Sequence, residues 1–171
     1  MIKDGLEYRV SQEWVIKFKQ SIAAMDNSFE SKINDYERWQ LNRSALQCHL
    51  DKLIQEIAEY EKLINCDISQ PIKIKVNSLN ELPFALIKAR IAAKISLDEL
   101  ASRLGIDIER VDEYEKTNYQ CASFAEILEV STVLGVEFES GMVRVDFEEI
   151  ENVKQTILNW DRKGVNVTAT T

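Results

Sequence analysis

The sequence is short of the residues on which most catalytic and metal-binding chemistry depends. It has one histidine, three cysteines and five glycines among 171 residues. The lone His49 sits between Cys48 and Leu50 with no second ligand at helical spacing, so a zinc site is not expected. Cys48, Cys66 and Cys121 are odd in number and form no Cys-x-x-Cys pair. They read as buried reduced thiols rather than as a redox or metal centre. So few glycines leave little room for a loop that cradles phosphate, and no Ser/His/Asp set can be assembled. Neither an enzyme nor a cofactor is therefore expected. No run of ~18 apolar residues could cross a bilayer, and Met1-Ile2-Lys3-Asp4-Gly5 lacks the apolar core of a signal peptide. A cytoplasmic protein is the expectation.

What is there is the balance of a globular chain, 45% hydrophobic and 29% charged, long enough for one ordinary core or two small ones. The formal charge of −8 opposes broad attraction to nucleic acid or anionic lipid. Its distribution is uneven. Lys73, Lys75, Lys88, Arg90 and Lys94 form a basic stretch interrupted only by Glu81, whereas Asp107 to Lys116 carries five carboxylates against Arg110 and Lys116.

Apolar spacing divides the chain into residues 1–70, 71–136 and 137–171. In the first part, Ser11 can cap a helix with Val10 stapled to Val15, and Val15, Phe18, Ile22, Met25 and Phe29 make one apolar face. Tyr36, Trp39, Arg43, Leu46, Leu50, Leu53, Ile57, Tyr60 and Ile64 then keep an unbroken three-four alternation, a heptad seam with one polar exception. Roughly thirty residues at about 1.5 Å each make a rod some 40 Å long. Such a stripe must be covered, either by the first helix folding back after Asp26 to Asn34 or by a second chain along the same seam, and the two are compatible. This region is read as an antiparallel, coiled-coil-like helical hairpin.

Asp67, Ser69 and Pro71 break the helical pattern, and Ile72 to Val76 alternates as a short strand would. From Ser78 to Val136 four short helices are expected. The first is capped by Ser78 or Asn80 with Pro83 in its opening turn. Ser96 and Glu99 box the second, which Gly105 ends; Asp107 caps the third; Ser123 and Glu126 box the fourth, which ends at Gly135. The period then falls to two: Val136 and Phe138 flank Ser140-Gly141 with Val143 and Val145, which predicts a β-hairpin. Asp146 and Glu149 can box a last helix with the stripe Ile150, Val153, Ile157 and Trp160, followed by a mobile tail from Asp161 to Thr171. The fold class expected is mainly α with a short C-terminal β-hairpin and helix.

Ser96 to Glu115 has the spacing of a helix-turn-helix, with Gly105 supplying the positive φ of the turn and Ala101 small where two helices cross. The stretch IKARIAAKISLDELASRLGIDIERVDEYE, followed by SFAEILEVSTVLGV, resembles the Cro/CI-type, or XRE, helix-turn-helix family, with its Leu-Ala at Leu100-Ala101, its turn glycine at Gly105 and its closing glutamate at Glu115. YRVSQEWVIKFKQ, a helix ending EIAEYEKL and SLNELPFALIKARIAA are similar to a subgroup that carries an N-terminal helical hairpin. The resemblance implies a lambda-repressor-like bundle in which Arg90 pairs with Glu115 structurally. It places the phosphate-contacting start of the second helix at Ser96 and Leu97, where the family commonly has glutamine at the position of Leu97, and the base-reading face on Asp107, Ile108, Glu109, Arg110 and Glu113. Where the family often has glycine, this chain has Lys94 and Thr117.

Two functions follow as expectations. One is a sequence-specific transcriptional regulator that binds double-stranded DNA as a homodimer, antitoxin-like or autoregulatory, with Arg110 the only strong reader of guanine and Lys88 and Lys94 as flanking phosphate contacts. The other is an interaction module that keeps the fold and grips a protein partner, such as a toxin, through its acidic third helix and its rod. The lysines read equally well as a solvated face.

Overall fold

The computed structural model describes residues 1–165, without the side chains of 29–31 and 161–165. Helix α1 (Gly5–Asn27) is followed by a short α2 (Phe29–Asn34) and the long α3 (Tyr36–Ile64). The first helix starts one and a half turns before Ser11. A carboxylate oxygen of Asp4 accepts from the N–H groups of Leu6 at 2.8 Å and Glu7 at 2.7 Å, which satisfies two free donors and places negative charge at the positive end of the helix. Ser11 is buried inside α1 instead of capping it. Phe29 falls in α2, and its side chain lies outside the described residues.

Helices α1 and α3 run antiparallel. Tyr8 stacks on Tyr60 with ring centres 5.2 Å apart, and its hydroxyl donates to Glu61 at 2.6 Å. Phe18 stacks on His49, while Trp39 donates its indole N–H to the Met25 carbonyl at 3.0 Å. Arg43, the polar exception in the seam, is bonded by both ends of its guanidinium to Asp26 at 2.6 and 3.0 Å. That pair is too exposed to stabilise the fold much. Burial of Ile22 and Leu50 along the seam contributes more.

Beyond Asn65 the chain has no regular structure until a 3-10 turn at Leu79–Glu81 and then α4 (Leu82–Ala92), α5 (Leu97–Leu104), α6 (Ile108–Lys116) and α7 (Phe124–Val133). Leu86 and Ile87 of α4, Leu100 of α5, Val111 of α6 and Val130 of α7 are fully buried against one another, with Ala101 and the stacked rings of Tyr114 and Tyr119 beside them. Leu63 of α3 joins this core, and Tyr60, Ile64 and Met1 pack on it. Met1–Glu137 is accordingly one compact unit, and Phe138–Thr171 is another.

The β-hairpin expected over Val136 to Val145 is not there: among the described residues the chain has no strand, and it is mainly helical. The cause is physical. A two-stranded ribbon is marginal unless one face is covered, and here Met142 and Val143 are 99% and 86% exposed. The Phe138 ring also lies over Gly141, where an added Cβ would come within 2.7 Å of it. The alternation at Ile72 to Val76 likewise finds no sheet to join. The second unit holds α8 (Phe147–Val165), opened by the Glu149 N–H donating to Asp146 at 3.2 Å. Part of the expected mobile tail, to Val165, is thus helical, and the rest lies outside the described residues.

The thiols also differ from the expectation. Cys48 is exposed, and Cys66 and Cys121 are half-buried. Among the described residues no helix is long and apolar enough to cross a membrane.

Candidate recognition surface

Three caps and one ion pair set the position of α6. The Ser96 hydroxyl accepts from the Glu99 N–H at 3.1 Å and starts α5. Gly105 ends it with φ 69°, where an L side chain would be strained. Asp107 stands at the N-cap of α6 with extended backbone, yet its carboxylate makes no capping bond. The Ser123–Glu126 box is complete and opens α7. Arg90, 7% exposed, holds Glu115, 4% exposed, through Nε to Oε1 at 2.5 Å and Nη2 to Oε2 at 2.7 Å. Its other donors reach the carbonyls of Ile95 at 2.9 Å and Lys3 at 3.1 Å. The pair therefore ties α4, α6, the turn after α4 and the N-terminal segment to one point.

On the outer face of α6 stand Asp107, Ile108, Glu109, Arg110 and Glu113. Arg110 is half-buried, with partners on several sides. Its Nη1 donates to Glu113 at 3.0 Å, its Nη2 to Glu126 at 3.3 Å and to the Cys121 carbonyl at 3.4 Å, and its guanidinium lies 4.7 Å above the Tyr114 ring. The Tyr114 hydroxyl donates to the same Glu126 oxygen at 2.6 Å. That bond, the Ser123 backbone and side chain, and Arg110 hold the Glu126 carboxyl down to about 2, so it stays ionised and keeps its grip on the arginine. Asp107 and Glu109 are exposed, and among the described residues neither joins an ion pair. Asp112 is taken by Lys116 at 2.5 Å.

The remaining candidates are scattered. Lys88 lies on α4 and its Nζ donates to Glu59 of α3 at 2.5 Å, an exposed pair beside the apolar contacts that join the long helix to the bundle. Lys94 is exposed with a left-handed backbone, φ 58°, at the place where the resembled family often has glycine. It lies near enough to Asp67 to help lower that carboxyl, after the Ser69 bonds that dominate. Thr117 has an ordinary backbone, and the left-handed residues fall next to it at Asn118 and Tyr119.

Sequence reasoning missed Tyr114 and Glu126 as the partners of Arg110. The spacing of Arg110 to Tyr114 could have indicated a stacked pair on one helix face. Glu126 was visible only as a capping residue, because its second role depends on where α7 lies.

Compared with known protein families, curated proteins and solved structures, the chain matches none of them.

Proposed function

We propose that this chain is a protein-interaction module, built on a helix-turn-helix bundle of the kind its sequence resembles, that presents the acidic face of α6 to a basic partner. The observation that carries the reading is the placement of Arg110. It is engaged by two carboxylates, a carbonyl and an aromatic ring, and the other cation of α6, Lys116, is paired with Asp112. Reaching a guanine edge would break those contacts and leave Glu113 and Glu126 beside the phosphates, where each carboxylate repels. Asp107 and Glu109 add two more. A basic peptide or protein surface meets the same groups favourably, gaining association rate and specificity from complementary charge.

The second reading is a sequence-specific regulator that binds double-stranded DNA as a homodimer. The buried Arg90–Glu115 pair and the left-handed Gly105 between α5 and α6 favour it, together with exposed Lys75 and Lys94.

A labelled duplex from the chain's own upstream region, titrated at ~50 mM salt where counterion release favours binding most, separates the two. The interaction module gives no shift, and Glu109→Gln with Glu113→Gln weakens its salt-sensitive capture of a basic protein. A sequence-specific shift that Arg110→Ala abolishes would overturn the proposal.

A further inference from the structure

Lys3, in the segment that precedes α1, is bonded to three helices at once. Its N–H donates to a Glu7 carboxylate oxygen of α1 at 2.8 Å. Its carbonyl accepts from Nη2 of Arg90 on α4 at 3.1 Å, and its ammonium donates to the Glu115 carbonyl in the last turn of α6 at 2.5 Å. The chain is fixed on either side of it: Ile2 is 4% exposed, and Asp4 caps α1 through the N–H groups of Leu6 and Glu7. One residue thus closes the start of α1 and the end of α6.

Both ends need such a residue, because the first N–H groups of a helix and its last carbonyls have no partners within it. Beyond α6 the backbone turns left-handed at Asn118, φ 51°, and at Tyr119, φ 60°, a strained conformation for a tyrosine. An ammonium on the Glu115 carbonyl opposes that strain, since positive charge is favourable at the C-terminal end of a helix. The two ends do not open separately. When the first turn of α1 frays, the Glu7 and Asp4 bonds that orient the Lys3 backbone are lost. Its carbonyl then leaves Arg90, a buried donor that is costly to strand, and its ammonium is drawn away from α6. A lysine anchored elsewhere could cap α6 without this consequence.

We propose that Lys3 is a relay through which the first turn of α1 and the last turn of α6 open and close together, coupling the hairpin to the α6 surface. A ligand that orders the end of α6 tightens the start of the hairpin, and a partner that loosens the start of α1 loosens α6. The coupling exists without any ligand, so it holds or fails independently of what α6 binds.

Native-state amide hydrogen exchange of the full chain reads both ends. The Tyr8 N–H, bonded to the Asp4 carbonyl, reports on α1, and the Asn118 and Tyr119 N–H groups, bonded to the Glu115 and Tyr114 carbonyls, report on α6. Asp4→Ala removes the α1 cap and speeds exchange at Tyr8 by about 5-fold. The relay speeds exchange at Asn118 and Tyr119 by at least ~3-fold as well, while Leu134, at the end of α7, stays as in the wild type. In a Lys3→Met background, which keeps the aliphatic stem and loses the ammonium, Asp4→Ala adds less at Asn118 and Tyr119 than it does in the wild type. In the other direction, Asn118→Val, a β-branched residue at positive φ, speeds exchange at Tyr8. Should Asp4→Ala fail to fold, Glu7→Gln weakens the bond to the Lys3 N–H more gently and carries the same expectations. Exchange at Asn118 and Tyr119 that ignores the α1 cap, an equal rise at Leu134, or full additivity of Lys3→Met with Asp4→Ala would each overturn the relay.

Discussion

Replacing Glu115 by alanine leaves the Arg90 guanidinium, almost fully buried, with the Ile95 and Lys3 carbonyls as its remaining partners. Nε and one N–H of Nη2 lose the carboxylate they bonded at 2.5 and 2.7 Å. Stranding one partner of a buried pair costs about 3–5 kcal/mol, a large part of the total for a domain of this size. Removing both charges, as in Arg90→Met with Glu115→Leu, avoids the stranded cation. It gives up only the bonds to the two carbonyls, about 1 kcal/mol each. The double variant should therefore be more stable than Glu115→Ala. Urea unfolding followed by fluorescence of Trp14 and Trp39, with Trp160→Phe in every variant to silence the second unit, measures this. At an m-value of ~1–3 kcal/mol/M, the single change moves the midpoint down by at least ~1 M. A loss below about 1 kcal/mol, or a double variant no better than the single, would refute the claim that this pair holds α4 and α6 together.

Lys94 has φ 58° without being glycine, so Lys94→Gly should raise stability by up to ~1 kcal/mol, read from the same unfolding curves. Gly105→Ala is the converse: an added Cβ meets nothing within 4 Å, so the expected loss of about 1 kcal/mol comes from backbone conformation alone. Glu126 is held at about 2 against an ordinary 4.5. Its folded value is depressed, so its contribution is fully present above pH 4.5 and is lost as pH falls toward 2. The unfolding midpoint of the wild type should fall more steeply through that window than that of Glu126→Gln, and parallel profiles would count against the Tyr114–Arg110–Glu126 cluster.

Features decided within one turn of chain could be read from residue types. The Ser123–Glu126 box and the Gly105 stop depend on backbone donors two or three residues away, and the structure shows both. The start of α1 could not be settled that way, since Asp4 and Ser11 are both competent caps. Packing decides between them: Tyr8 is needed on Tyr60, so the helix must already be formed at residue 8. Alternation misled for a related reason. Phe138, Val143 and Val145 have the period of a strand, but that period stabilises a strand only where a sheet face is covered, and nothing in the sequence says whether a cover exists.

The same limit applies more sharply to charge. Arg110 in a run of carboxylates reads as the one cation free to meet DNA, and its neighbours three and four residues along, Glu113 and Tyr114, are the kind of partners an exposed arginine exchanges readily with water. Its further partner is Glu126, sixteen residues away, although the arginine side chain stays 38% exposed. Glu126 is itself fixed by the Tyr114 hydroxyl and the Ser123 cap. The arginine is thus bonded to a carboxylate whose other bonds start a helix, and those bonds stay in place when the arginine turns toward another acceptor. Lys88 repeats the pattern through Glu59, twenty-nine residues back. A cation's surroundings depend on long-range partners, so the acid-rich character of α6 could be read from the sequence, while the contact between Arg110 and Glu126 became visible only once α6 and α7 were placed side by side.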